Sequence, residues 1–245
     1  MKIALACAAA ADRDIERNLS AMLDMIKAVS GQADMIVFGE SALQGFDCLC
    51  WDYAVDREMA VSQESAPIGR LRSAAREHGL AVSFGYIECV EDVLYSSQMV
   101  VDPSGAILHN FHRVSVGWKE PQADEHYREG DRFARFSYGG KSFAVGLCGD
   151  LWTEGRPEEM KALGADIVLW PVYCDYDADE WNTSVKYEYA EQAALCGENV
   201  LFVNPFCVTG TVGEPRAAGG AAHFQDGRII SERSAGEMGY LVAEV

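Results

Sequence analysis

Short apolar runs of strand length alternate with amphipathic stretches along nearly the whole chain. Residues 2–8 read as a strand. Residues 15–29 read as a helix, with Ile15, Leu19, Met22, Ile26 and Val29 returning to one face. A buried strand at 35–39 follows and ends in Glu40. Pro67 to His78 reads as a second helix, opened by Pro67 and closed by Gly79. Strands near 80–87, 94–101 and 106–112 come next, the last two joined by the turn Asp102-Pro103-Ser104-Gly105. The second half repeats the theme. Strands at 133–138 and 142–147 flank the Gly139-Gly140 hairpin, and a short helix runs from Glu158 to Leu163. Ile167–Trp170 is a buried strand, 180–197 a long helix, and Val200–Asn204 another buried strand. Ala221–Phe224, Arg228–Glu232 and Tyr240–Val245 close the chain as strands around an Asp226-Gly227 turn. Strands interspersed with helices predict sheets covered by helices, an α/β layered sandwich.

Composition narrows the choices. At 245 residues and 49% hydrophobic content the chain can bury a substantial core, and no Pro/Ser-rich linker or charge block divides it, so one domain over 1–245 is expected. The 38 acidic and 20 basic residues give a net charge of −18. Such a surface repels phosphate backbones and anionic lipid, which argues against nucleic acid and membrane as partners, and the acidity is read as serving solubility. The segment Lys2 to Ala10 superficially resembles a secretory signal. Its apolar core is short, however, and polar residues 12–18 follow at once, so it is read as the first buried strand. No apolar stretch is long enough to span a bilayer. Eight cysteines are scattered among apolar neighbours, which predicts a reducing cytoplasm. Only Cys48 and Cys50 lie close together, a poor zinc signature, so no metal and no cofactor are expected.

Two strand exits carry chemistry. Phe143–Leu147 delivers Cys148 into the turn Gly149-Asp150, and Met35–Gly39 delivers Glu40. A thiol at such a junction can meet a substrate and be activated by its neighbours, unlike a cysteine buried within an element.

The order of local motifs resembles the nitrilase superfamily of carbon–nitrogen hydrolases. Gly39-Glu40 precedes Gly85-Tyr86-Ile87-Glu88, Leu94-Tyr95-Ser96-Ser97 and Asp102-Pro103-x-Gly105. Asn110-Phe111-His112-Arg113, Glu125-x4-Gly130-Asp131 and Gly146-x-Cys148-x-Asp150 follow. Pro157-Glu158, Gly164-Ala165-Asp166, Asn199-x4-Asn204, Gly219-Gly220 and Asp226-Gly227 complete the series. The resemblance covers essentially the whole chain. It implies an αββα four-layer sandwich, a homodimer or higher homo-oligomer, and a Glu–Lys–Cys triad acting on small amides. Carried over, Cys148 is the nucleophile and Glu40 the general base. The family's lysine position holds Arg113, and Lys119 six residues on is the other candidate for the oxyanion-side cation. Glu125 fits the family's second glutamate, with Glu120 behind it. Gly149, where many relatives have an aromatic residue, Trp152, Tyr173 and Cys174 are expected around the substrate. The activity implied is hydrolysis of a small amide or carbamoyl compound through an acyl-thioester. The alternatives are a binding or regulatory protein that keeps the fold but lacks the lysine, and a zinc protein using Cys48 and Cys50.

Overall fold

The structure is a computed structural model that describes residues 1–210 and 216–245. In chain order the first sheet-forming half contains β1 (Lys2–Cys7), β2 (Ala9–Ala10), α1 (Ile15–Val29), β3 (Met35–Phe38), α2 (Tyr53–Asp56), α3 (Ala66–His78), β4 (Ala81–Val90), β5 (Val93–Val101) and β6 (Ile107–His112). The second half contains β7 (Arg135–Tyr138), β8 (Lys141–Val145), α4 (Arg156–Ala162), β9 (Ile167–Pro171), α5 (Ala178–Glu180), α6 (Lys186–Cys196), β10 (Asn199–Val203), β11 (Phe206–Cys207), β12 (Ala221–Gln225), β13 (Arg228–Arg233) and β14 (Gly239–Glu244).

Two six-stranded sheets share one plan. The first runs β14-β1-β3-β4-β5-β6 and the second β13-β12-β10-β9-β8-β7. Each has a parallel trio at its centre, β1-β3-β4 or β8-β9-β10, with antiparallel strands on both sides. Strands buried on both faces read as unbroken apolar runs, and the pleat then deals alternate residues to opposite faces. In β1, Ile3 and Leu5 join the core between the sheets, while Ala4 and Ala6 pack toward the helices. In β3, Met35 and Val37 face inward and Ile36 and Phe38 outward. The outer layer on the first sheet is α1 and α3, through Leu19, Met22, Ile26, Ile68 and Leu71. Over the second sheet lie α4 and α6, through Met160, Tyr189, Ala193 and Cys196. The order helix, sheet, sheet, helix is the four-layer sandwich.

Differences from the sequence expectation are local. The long helix expected over 180–197 contains a wider π turn at Trp181–Val185. There the Trp181 ring stacks on Phe202 at 4.5 Å, and both Trp181 and Val185 are buried. Two-residue strands β2 and β11 pair beyond the ends of β1 and β10, too short to leave a periodic signal. The stretch after β8 is a 3₁₀ turn, Cys148–Trp152, rather than a simple Gly-Asp turn.

Candidate active site

Glu40 and Cys148 leave different sheets and meet at the same carbonyl pair. The backbone N–H of Glu40 donates to the Val172 carbonyl at 3.1 Å, and the Cys148 Sγ lies 3.5 Å from the next carbonyl, that of Tyr173. The β3 exit packs so tightly that a Cβ on Gly85 would sit 2.5 Å from the Ser41 nitrogen, so only glycine leaves this space. Both exits carry strain. Ser41 has φ of 49° and Cys148 of 44°, in the left-handed region that non-glycine residues avoid.

Arg113 bridges the two exits. Its Nη1 donates to Glu40 Oε1 at 2.7 Å, its Nε to Ser115 Oγ at 2.9 Å, and its Nη2 lies against Gly149. A Cβ at Gly149 would come within 2.7 Å of that Nη2. Burial alone would lower the Arg113 pKa. The negative charges of Glu40 and Asp150 and the hydrogen bond to Glu40 outweigh it and push the value up, so the guanidinium stays charged.

Asp150 staples this assembly. Its Oδ1 accepts the N–H groups of Val114 (3.1 Å) and Ser115 (2.8 Å), and its Oδ2 that of Leu147 (3.0 Å). The thiol turn is thereby tied to the loop that carries Arg113. Burial pushes the Asp150 carboxyl up to about 6, against the pull of Arg113 and its hydrogen bonds. A hydrogen bond with the Cys174 thiol, burial and the Glu40 charge push Cys148 well above the ordinary thiol range, with Arg113 opposing. The resting sulfur is therefore protonated, and any attack by it would require a base. Ser96 Oγ donates to Glu40 Oε1 at 3.2 Å, whereas Glu40 Oε2, also buried, has no partner among the described residues.

A cavity of about 150 Å³ opens onto Glu40 and Arg113, walled by Phe46, Trp51 and Trp118, with Asp47 and Glu120 also in its lining. Asp56 holds the wall in place. It is fully buried and accepts from the Cys50 and Trp51 N–H groups and from the Tyr127 hydroxyl at 2.8 Å. A larger depression of about 780 Å³ between Ala178 and Leu241 is lined by neither Glu40 nor Arg113 and lies outside this chemistry.

The other expected residues are distributed as follows. Lys119 turns to Glu129, with Nζ 2.5 Å from Oε1, and to the Tyr127 carbonyl at 3.2 Å, and it does not line the cavity. Glu125 is exposed, and its carbonyl accepts from Arg128; Glu120 is the acid that lines the cavity. Tyr173 contributes its carbonyl beside the thiol and stacks its ring on Phe46 at 4.1 Å. The Cys174 Sγ lies 2.8 Å from the Tyr189 hydroxyl, and its backbone is clamped by Asn204. Trp152 is 45% exposed and packs edge-on to Tyr189. His112 binds Glu88 and His126 binds Asp124, so neither pairs with the thiol. The segment Phe46–Trp51, which builds much of the cavity wall, carries no periodicity. Its signal in the sequence was only the density of aromatic and cysteine residues in one loop.

Among the described residues no group of three or more His, Cys, Asp or Glu side chains could hold a metal ion, and no helix is long and apolar enough to cross a membrane. All eight cysteines are free.

Known proteins give this geometry its context. An (R)-stereoselective amidase from Pseudomonas sp. is 29% identical over 169 residues, 69% of this chain and 59% of that protein. A cyanide hydratase from Neurospora crassa is 26% identical over 65% of this chain and 49% of its own length. The chain thus spans about half to three fifths of these relatives. Among solved structures, an amidase from Nesterenkonia sp. superposes with a TM-score of 0.79 at 22% identity, covering 100% of this chain and 90% of that one. Another structure of that amidase shows acrylamide added at its active site cysteine. The profile of the family described as carbon-nitrogen hydrolase matches residues 2–245, and with the layered fold in agreement the chain belongs to that family.

Proposed function

We propose that the protein hydrolyses the C–N bond of a small amide or carbamoyl compound, with Cys148 as nucleophile, Glu40 as general base and Arg113 as the oxyanion-side cation. The observation that carries this is the buried Glu40 carboxylate. One oxygen is pinned by Arg113 and Ser96, the other is left without a partner among the described residues, and the carboxylate's charge acts on the protonated Cys148 thiol. A base held in this way has one lone pair committed to position and one available for a proton.

The Cys148 sulfur attacks the carbonyl carbon as its proton passes to Glu40 Oε2. The C–S bond forms, and the carbonyl electrons move onto oxygen. Arg113 Nη2, beside Gly149, meets that oxyanion. The Gly149 N–H, at the start of the 3₁₀ turn where helical N–H groups have no internal partner, supplies a second donor. Collapse breaks the C–N bond, and Glu40 returns the proton to the leaving amine. Water, deprotonated by the same carboxylate, then releases the acid and restores the thiol.

The test incubates purified protein with a panel of small amides, following ammonia release and the intact mass. Turnover with an acyl adduct mapped to Cys148, both lost in Cys148→Ala, is the expected result. A folded protein giving neither across the panel would replace the hydrolase with a binding protein of the same fold.

A further inference from the structure

The cavity in front of Glu40 is small and its charge is unbalanced. Its volume of about 150 Å³ matches an apolar cavity that admits one benzene-sized guest. The ionisable groups in its lining are Glu40, Asp47, Arg113 and Glu120, three carboxylates against one guanidinium. Glu40 and Arg113 are paired at 2.7 Å, so Asp47 and Glu120 remain as uncompensated negative charge. Cations close by in the chain are engaged elsewhere: Lys119 by Glu129, and Arg13 by the Cys48 carbonyl, with Asp56 at 3.9 Å. Burial and the charges of Asp12 and Asp175 push the Asp47 carboxyl up, as expected where negative potential is concentrated. Trp51 and Trp118 line the same cavity, their ring centroids 5.9 Å apart. Trp51 is held there with φ of 67°, a strained backbone kept in place by Asp56. Glu40 lines the same cavity, and its Oε2 is buried without a partner among the described residues.

We infer that this site takes amides that are neutral or positively charged, with a substituent no larger than about one six-membered ring, and turns away amides that carry a carboxylate. The inference rests on the hydrolase reading and refines it. A substrate anion would approach Asp47 and Glu120 with no unpaired cation among the described lining residues to receive it. An ammonium would gain their attraction beside the two tryptophan side chains.

Three amides of similar size separate the cases: butyramide, β-alaninamide and succinamate. Each is assayed for kcat/KM with the wild-type protein and for binding to Cys148→Ala by calorimetry. β-Alaninamide is expected to equal or exceed butyramide, with succinamate at least about tenfold poorer in both arms. In an Asp47→Asn/Glu120→Gln variant the ratio of β-alaninamide to succinamate should fall by about tenfold. Benzamide should be used at least about tenfold better than 1-naphthamide. Succinamate accepted as well as β-alaninamide, or a ratio unmoved by the double substitution, overturns the inference. Charge-selective binding without turnover of any amide leaves the inference standing and removes the hydrolase reading. Absence of both binding and turnover removes the two together.

Discussion

Substituting Gly149 by alanine tests how Arg113 is seated. The added Cβ would lie 2.7 Å from Arg113 Nη2, whereas ordinary contact needs roughly 3.5 Å, so the guanidinium must retreat by about 0.8 Å. Gly149 is not among the glycines with positive φ, so alanine meets no backbone penalty there and the clash is the whole perturbation. Arg113 cannot retreat freely, because Nη1 is held by Glu40 at 2.7 Å and Nε by Ser115 at 2.9 Å. One of these bonds must stretch to its limit, and the proposed oxyanion donor leaves its position. Displacements of this size at a reacting centre cost about 100-fold in rate, or about 2.7 kcal/mol. Lysine at position 113 lacks the forked group that collides with the new Cβ. Gly149→Ala should therefore lower kcat/KM about 100-fold in the native background but only about threefold when combined with Arg113→Lys. The coupling, about 2 kcal/mol, is read from kcat/KM of the four proteins on one small amide, with thermal melts confirming that each is folded. Equal losses in both backgrounds would refute the proposed contact, as would a fully active Gly149→Ala.

Other expectations follow from the same geometry. Glu40→Gln keeps an acceptor for Arg113 but cannot take the thiol proton, so turnover should fall by about 1,000-fold or more while thermal melts show the protein still folded. Lys119→Ala should leave kcat/KM within about threefold, since its ammonium is committed to Glu129; a larger loss would return it to the mechanism. Asp150→Asn sets an amide donor against one of the three N–H groups now accepted, and chemical denaturation should show a loss of about 1–3 kcal/mol. Glu88 gives an acid limb. Burial would raise its pKa, but hydrogen bonds from His112, Asn110, Gln63 and Ser97 outweigh this and hold it at about 2. Its folded value lies below its unfolded one, so its stabilisation is present above pH ~4.5 and is lost as pH falls toward 2. Up to about 3 kcal/mol should disappear across that window in wild type, and Glu88→Gln should flatten that part of the pH–stability curve.

The chain's own pattern determined the elements and their layering. The helix at Ile15–Val29 follows from five apolar residues at helical spacing, and β1, β3 and β9 follow from unbroken apolar runs that only a strand buried on both faces requires. The strand exits at Glu40 and Cys148 were visible for the same reason, since each run stops at a reactive side chain. Tertiary packing decided the rest. Arg113 and Lys119 are both cations after one strand, and nothing in their spacing says which turns inward. The Asp150 staple on Val114 and Ser115 brings Arg113 to Glu40, while Glu129 draws Lys119 away. The open space at Gly149, the Trp51–Trp118 wall and the surplus acids Asp47 and Glu120 likewise exist only once loops from separate strands converge. Periodicity encodes which residues leave water within one element; the facing of loop side chains is set by contacts between residues far apart in sequence, and no local repeat carries that information.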